Sequence, residues 1–442
     1  MPVPAPNRCL EALFAETRWT NGDFVRAVER VASELGVSFG YDESAVRHWI
    51  TGTRPRARVR PLVLEALSRR LRRPVTAFEA GFSDKPETVA ESGDTVTSLV
   101  DLGSADMDPS RRRILQTGLF SAAAIIPGWP DLADRLDRVH ADPHARIGMT
   151  EVKAVIAMTE RISDMDDQFG GRRTRPLAAA FLVNTIAPHL RATATEPVRN
   201  AMLSAAADHC YLTGYMAMDE REDGLAQQYY LKALDLAARA GDHLTFCTTL
   251  RGMSVQAVDL GHSALATRLA DSAAAASPQA GPRMLAFLTG QQAHAAAQTG
   301  DRATALLKIK EAERAMEQAE SKAKAFGSYD PSSLAYHVGQ VRFELGDIAG
   351  SVESLQDADR LREPVYRRTR VRYNAMLAER KLRLGRLEEA VIDWGKVLED
   401  YPHVQSGRCD DRLREMLSVL TPHRRTAGAA DIYDRGRVLL KT

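Results

Sequence analysis

The sequence predicts an all-α chain: a small bundle of short helices, an acidic linker, and a long array of helical hairpins. Three observations carry this. Triads of small, bulky and small residues recur at near-constant spacing through the second half of the chain. Alanine is abundant while aromatic residues make up only 6% of the 442 residues, which favours closely packed helices over sheets. Between Ser44 and Val75 nine arginines (47, 54, 56, 58, 60, 69, 70, 72 and 73) stand against one acid, Glu65, although the whole chain carries a net charge of only +1. That charge is local and marks a face rather than a composition.

The first helix is expected from Asn7 to about Glu16, with Leu10, Leu13 and Phe14 at helical spacing. Trp19-Thr-Asn-Gly-Asp supplies a turn and a cap. Phe24, Val25, Val28, Val31, Ala32 and Leu35 make a second, amphipathic helix ended by Gly36. Val37 to Gly40 connects it to a third, for which Asp42 is a good N-cap and Gly52 a good terminator. Within it Val46, Trp49 and Ile50 form an apolar stripe, leaving Ser44, Arg47, His48 and Thr51 on the opposite side. A fourth helix, Val63 to Leu71, turns Leu64, Leu67 and Leu71 inward.

Four or five short helices in about eighty residues, the third basic and outward, is the plan of a helix-turn-helix domain. The Pro-flanked segment TRPRARVRP is extended and carries Arg54, Arg56, Arg58 and Arg60. Arginine's planar fork suits phosphate oxygens and guanine edges. Ser44, Arg47 and His48 are thus the expected base-edge contacts, and Thr51, Arg54, Arg56 and Arg58 the expected phosphate contacts. A solvated basic face on an ordinary hairpin is the plain alternative, and the local charge balance weighs against it.

The string YDESAVRHWITGTRPRARVRPLVLEALSRRLRRPVT resembles the DNA-binding region of the Xre-type regulators of actinomycetes. The shared features are the Tyr-Asp opening, the Trp of the third helix, Gly-x-x-Pro and Leu-Ser-Arg-Arg-Leu. The segment SDMDDQFGGRRTRPLAAAFL is similar to a second motif of that group, where it precedes a repeat array. The resemblance implies a regulator of development or antibiotic production, with operator DNA bound by the first domain. It also implies a second domain that receives a peptide, protein or small-molecule signal, forms a homodimer, or does both.

The expected domains are 1–82, the helix-turn-helix; 83–110, an acidic flexible linker with seven acids against Lys85 alone; 111–196, a helical segment; and 197–442, the repeats. Low hydrophobicity and one-signed charge describe the linker. Ser110-Arg-Arg-Arg-Ile-Leu and the apolar run to Ile126 imitate a twin-arginine signal, but the run is internal and shorter than the ~20 residues a bilayer needs. A buried helix opening the second part is the better reading. Helices are expected at Thr150–Phe169, before Gly170-Gly171, and at Arg175–Leu190, and no strand is expected after Arg111.

The repeats follow by counting. Tetratricopeptide-type hairpins place small, bulky and small residues at offsets 0, +4 and +7 of the second helix, with a turn glycine five residues earlier. The sequence offers Ala226/Tyr230/Ala233; Ala266/Ala270/Ala273 after Gly261; Ala305/Ile309/Ala312 after Gly300; Ser351/Leu355/Ala358 after Gly346; and Ala390/Trp394/Val397 after Gly385. A weaker Ala429/Tyr433/Gly436 ends the series. First members are separated by 40, 39, 46, 39 and 39 residues, more than the ~34 of the standard repeat, with the extra length in a loop at Ser321–Ser332. Stacked hairpins curl into a superhelix whose inner face suits a peptide, protein tail or small ligand. On the first helices, His209, Tyr211, Arg251, Gln291, His294, His337, Gln340, Arg370 and Asn374 are the candidate contacts.

No catalytic constellation is present: GxSxG, GxxxxGK[ST] and HExxH are all missing. His209 beside Cys210 reads as a structural histidine, because adjacent residues face different ways on a helix. Asp164, Asp166 and Asp167 read as caps or solvated acids. The four cysteines lie far apart, against zinc or a disulfide framework and in keeping with a reducing cytoplasm. A cytoplasmic, cofactor-free, non-enzymatic DNA-binding regulator is the expectation, away from any membrane. A protein-interaction scaffold using the repeats is the alternative.

Overall fold

Asn7 and Asp42 cap helices as their short carboxyl and amide side chains favour. Asn7 Oδ1 accepts from the Leu10 N–H at 3.0 Å, and Asp42 Oδ1 accepts from Ser44 and Ala45 N–H at 3.0 and 3.1 Å. The computed structural model describes residues 6–34, 39–71, 73–83, 94–108, 120–123, 126, 142–276, 280–319 and 329–440. The first four helices are α1 (Arg8–Thr17), α2 (Asn21–Glu34), α3 (Glu43–Ile50) and α4 (Arg60–Leu71). Phe24 is their hub, meeting Phe14, Trp19 and Trp49 edge-on at centroid distances of 5.7, 5.9 and 6.4 Å. Val46 and Trp49 are buried, so α3 is held by its apolar stripe. Removing a core aromatic of this kind costs about 3–5 kcal/mol.

Helix α4 begins three residues earlier than expected, and its most buried apolar residues are Val63, Ala66 and Leu67, with Leu64 and Leu71 only half-buried. Residues 35–38, which include Val37 and Ser38 of the expected connector, lie outside the described residues, as do 84–93 and 109–110 of the expected linker, nearly all of the twin-arginine-like segment, and 321–328 of the expected repeat loop.

The second half of the expected linker is instead a helix, α5 (Thr95–Met107). Val96, Leu99 and Leu102 are buried at helical spacing, a pattern hidden by the acidic average of the stretch. After it comes β1 (Asp142–Arg146), which pairs in parallel with β2 (Ala192–Thr193). This corrects the strand-free expectation; a pair this short leaves no period-2 signal. Between them run α6 (Met149–Phe169), α7 (Gly171–Phe181), a π-helical turn at Leu182–Ile186 and α8 (Ala187–Arg191).

Six helical pairs follow: α9 (Glu196–Asp219) with α10 (Asp223–Ala240), α11 (His243–Asp259) with α12 (Ser263–Ala275), α13 (Pro282–Gln298) with α14 (Arg302–Glu317), α15 (Pro331–Glu344) with α16 (Ile348–Leu361), α17 (Arg367–Arg383) with α18 (Leu387–Asp400), and α19 (Gly407–Leu420) with α20 (Ala427–Leu439). The fold is an all-α helical repeat, and the first five triads are buried on the second helices as their offsets require. In the last, Tyr433 is only half-buried. Gly261, Gly300, Gly346 and Gly385 turn between the paired helices with φ between 74° and 85°. In the first pair Arg221 occupies the corresponding place at φ 68°, tethered by ion pairs to Asp411 and Asp259. That substitution is why no glycine could be counted there.

The array curls far enough to meet its own beginning. Helix α17 packs on α6. The Gln405 N–H donates to the Phe169 carbonyl at 2.7 Å, and the Gln405 carbonyl accepts from the Arg172 N–H at 3.1 Å. Gly170 and Gly171 permit this closure: a Cβ at Gly171 would lie 2.6 Å from the Met216 carbonyl, and one at Gly170 would strike the Gln405 backbone. The glycine pair therefore serves a close approach as well as a helix stop.

The four-helix bundle touches the array through His262, which stacks on Phe120 with centroids 5.4 Å apart and lies 4.0 Å from Glu34. A Cβ at Gly346 would meet nothing within 4 Å, so Gly346→Ala is limited to the cost of a left-handed alanine. Urea denaturation should show a loss of about 1–2 kcal/mol.

Candidate functional site

The described arginines from Arg47 to Arg73 divide into two sets; Arg72 lies outside the described residues. Arg69 pairs with Glu34 and Glu65 at 2.8 and 2.7 Å, and Arg73 with Glu16 and Glu79 at 3.0 and 2.5 Å. Arg70 donates to the Thr17 carbonyl at 3.0 Å, and Arg60 to that of Pro55 at 2.9 Å. These four hold the bundle together. Glu65, the only acid of the stretch, is buried and also accepts from the Ala122 N–H at 2.9 Å.

The second set is Arg47, Arg54, Arg56 and Arg58, all exposed, as are Ser44, His48 and Thr51. The side chains of Arg47, Arg56 and Arg58 make no ion pair or hydrogen bond among the described residues. The Ser44 hydroxyl donates to Asp42 at 2.6 Å, so toward solvent it presents lone pairs. Thr51 donates its hydroxyl to the His48 carbonyl at 3.1 Å. Trp49 and Val46 fix the opposite side of α3, and the polar edge therefore stands outward as a rigid row.

A second candidate site is the chamber enclosed by the curled array, with a volume of about 170 Å³. Its wall comes from α6, α9, α11, α13, α15, α17 and α19, the inner helices of every pair plus the helix the array closes upon. Of the expected inner-face contacts, Tyr211, Arg251, Gln291, His294 and His337 line it. His209, Gln340, Arg370 and Asn374 do not, and each is engaged elsewhere. His209 is wholly buried between Thr159 Oγ1 at 3.0 Å and the Ala178 carbonyl at 2.8 Å. Gln340 accepts from Arg380, Arg370 pairs with Asp400 at 3.4 Å, and Asn374 donates to Asp359 at 3.0 Å. On α17 the chamber side is that of Arg368, Arg372 and Tyr373; a step of one or two residues swings a side chain toward neighbouring helices instead.

Of the charges of the chamber, sequence reasoning placed only Arg251 there. Five arginines (251, 362, 368, 372, 408) face three aspartates (166, 167, 259). Asp166 and Asp167 are not solvated caps: both lie 2.9 Å from Arg368, which also reaches Asp219 at 3.7 Å. Arg408 pairs with Asp259. Burial pushes the Asp166 carboxyl up to about 8, against the pull of Arg368. The acid run before the glycine pair was the only local hint, because the cation it awaits lies some two hundred residues away.

Arg251 lies over the Phe287 ring at 4.2 Å and donates to His337 Nε2 at 3.4 Å. With that nitrogen accepting, the imidazole proton sits on Nδ1, 2.8 Å from the Tyr329 oxygen. Gly290 makes room: a Cβ there would come 2.5 Å from the Tyr329 hydroxyl. Burial lowers His294 to about 4 and His337 well below its ordinary value, so both are neutral acceptors or donors near pH 7.

The family model of the SP15 N-terminal domain matches residues 10–83, the stretch of α1 to α4. It is a different family from the Xre-type group whose motifs the sequence resembles. No curated protein matches the chain. Among solved structures, the chain is similar to one in the crystal structure of the APC/C hetero-tetramer Cut9-Hcn1, at 14% identity and a TM-score of 0.35, with 92% of this chain and 71% of that one covered.

Two measurements test the electrostatics of this region. Arg368→Gln removes the nearest cation from Asp166, Asp167 and Asp219 and should cost about 3–5 kcal/mol in chemical denaturation. His209 is lowered to about 4 by burial, opposed by its bond to the Ala178 carbonyl. The folded state therefore favours the neutral ring, and its contribution is complete above pH 6.5 and lost as pH falls toward 4. Half-buried Asp208, raised to about 7, changes in the opposite sense, so the variant must be compared with the parent. Between pH 7 and pH 5, His209→Gln should gain roughly 2 kcal/mol on the parent in urea unfolding.

Proposed function

We propose that the protein is a DNA-binding transcriptional regulator of the Xre-type plan, in which the repeat domain receives a signal and pairs two copies. The observation that carries the reading is the outward row on α3 and the arm behind it. Arg47, Arg56 and Arg58, which could have been drawn into the bundle, stand exposed beside Ser44, His48 and Thr51. Arg69 and Arg73 find carboxylates in this bundle, whereas the side chains of Arg47, Arg56 and Arg58 make no ion pair among the described residues. A phosphate backbone satisfies such a set, and displacement of its counterions drives binding.

In this reading Ser44, Arg47 and His48 meet base edges, while Thr51, Arg54, Arg56 and Arg58 grip phosphates. The domain limits follow the same logic: residues 1–82 read DNA, 83–110 connect, 111–196 close the array, and 197–442 form it. Contact of His262 with Glu34 and Phe120 supplies a route by which the array can bias the bundle. A ligand acts on that route only if it binds two arrangements unequally.

The helical repeat supports a second reading, an interaction scaffold in which the bundle docks protein rather than DNA. Genomic immunoprecipitation separates the two, because a scaffold yields no discrete operator sites. Within the first reading, Arg47→Ala should cost ~1–3 kcal/mol on the selected operator and relax specificity there. Arg56→Ala should weaken binding to all sequences alike and lower the slope of log affinity against log salt by about one. Gel shifts at several salt concentrations measure both; equal losses of Arg47→Ala on operator and random DNA would sink its base-reading role.

A further inference from the structure

The chamber of the curled array is built like a binding site, and its chemistry selects a ligand class. Its cations outnumber its acids, and the excess is concentrated in two side chains. Arg368 pairs with Asp166 and Asp167, and Arg408 with Asp259, whereas Arg251 and Arg372 form no ion pair among the described residues, Arg372 feeling Asp259 only at longer range. Nε of Arg251 is buried with no hydrogen-bond acceptor. A desolvated guanidinium without an anion is costly, and a bound carboxylate would relieve it.

A second observation is independent of charge. Gln291 is 1% exposed and His294 5%, and each turns a buried atom without a partner, Oε1 and Nε2, to this region. The orientation of the amide is determined by its neighbour. Ser254 donates its hydroxyl to the Ala266 carbonyl at 2.8 Å, so it accepts from the Gln291 amine at 3.0 Å, which leaves Oε1 as the open acceptor. Buried polar atoms are ordinarily satisfied, and two orphans on one wall belong to a site that expects polar company.

The remaining wall is aromatic. Tyr211, Phe287, Tyr336 and Tyr373 line it, with Tyr336 and Tyr373 stacked at 4.4 Å and nearly parallel. A volume near 170 Å³ is too small for a peptide strand but adequate for a single ring bearing one or two substituents; a ring the size of benzene occupies a cavity of about 150 Å³.

We propose that the chamber binds a small aromatic carboxylic acid, its carboxylate held by Arg251 and Arg372 and its ring by the tyrosine and phenylalanine wall. This deepens the sensing half of the regulator reading and rests on that reading only for its consequence at DNA. Binding itself is a property of the chain alone.

Isothermal titration calorimetry on the full chain without DNA tests it, with benzoate, 4-hydroxybenzoate and phenylacetate as probes and benzamide as the uncharged match. At least one acid should bind with submillimolar affinity and exceed benzamide tenfold or more. Arg251→Gln and Arg372→Gln, each verified as folded by circular dichroism, should each weaken that acid at least tenfold and leave benzamide unchanged. Absence of binding by all three acids overturns the proposal, as does equal binding of acid and amide. Undiminished affinity in both variants overturns it too. Should either variant fail to fold, the acid-to-amide comparison on the parent chain still decides. Failure of DNA binding in gel shifts would leave these outcomes untouched, and the converse holds.

Discussion

Closure of the helical array depends on a buried ionic seam. Arg368 on α17 reaches back to Asp166 and Asp167 on α6 and to Asp219 at the end of α9, while Arg408 on α19 meets Asp259 on α11. Arg175 on α7 joins Asp106 and Glu220 in the same region. Pairs of this kind return little net stability against well-packed apolar residues, since desolvation offsets most of the Coulombic gain. Their effect is on geometry. A stack of hairpins can in principle continue with any small rotation per repeat; charges that must find each other across the first and fifth pairs admit only the curvature that closes.

Everything distinctive about the chamber follows from that closure. An open superhelix would show the inner helices to solvent, where an arginine needs no partner. Once the two ends meet, Arg251, Gln291 and His294 are withdrawn from water, and their unmet hydrogen-bonding capacity becomes directional. The neutral state of His294 and His337 has the same origin, because burial penalises the charged ring. Gly170, Gly171 and Gly290 belong to this design as well, each allowing an approach that a single methyl group would forbid.

The N-terminal bundle uses arginine in two ways. Where the guanidinium spans helices it meets Glu16, Glu34, Glu65 or Glu79 and acts as a clamp; where it lies on the α3 edge or the arm that follows, it faces outward. The same residue type thus serves cohesion and display within about thirty positions. Glu34 takes part in both the clamp with Arg69 and the contact with His262, which makes it the point where bundle and array share a residue.

The sequence by itself determined whatever repeats or caps locally. Asp42, the Val46–Trp49 stripe, the turn glycines from Gly261 to Gly385 and the small–bulky–small triads all act within a few residues, so spacing alone exposes them. Five of nine inner-face residues were legible because helical period assigns a side, but Gln340, Arg370 and Asn374 show how a step of 100° per residue misplaces a side chain when the neighbouring helices are unknown. Only the tertiary structure decided that the array closes, that α5 is a helix in an acidic stretch, and that Asp166 is buried against Arg368. Those outcomes are set by partners two hundred residues apart, and a contact between distant segments leaves no period in the chain from which it could be read.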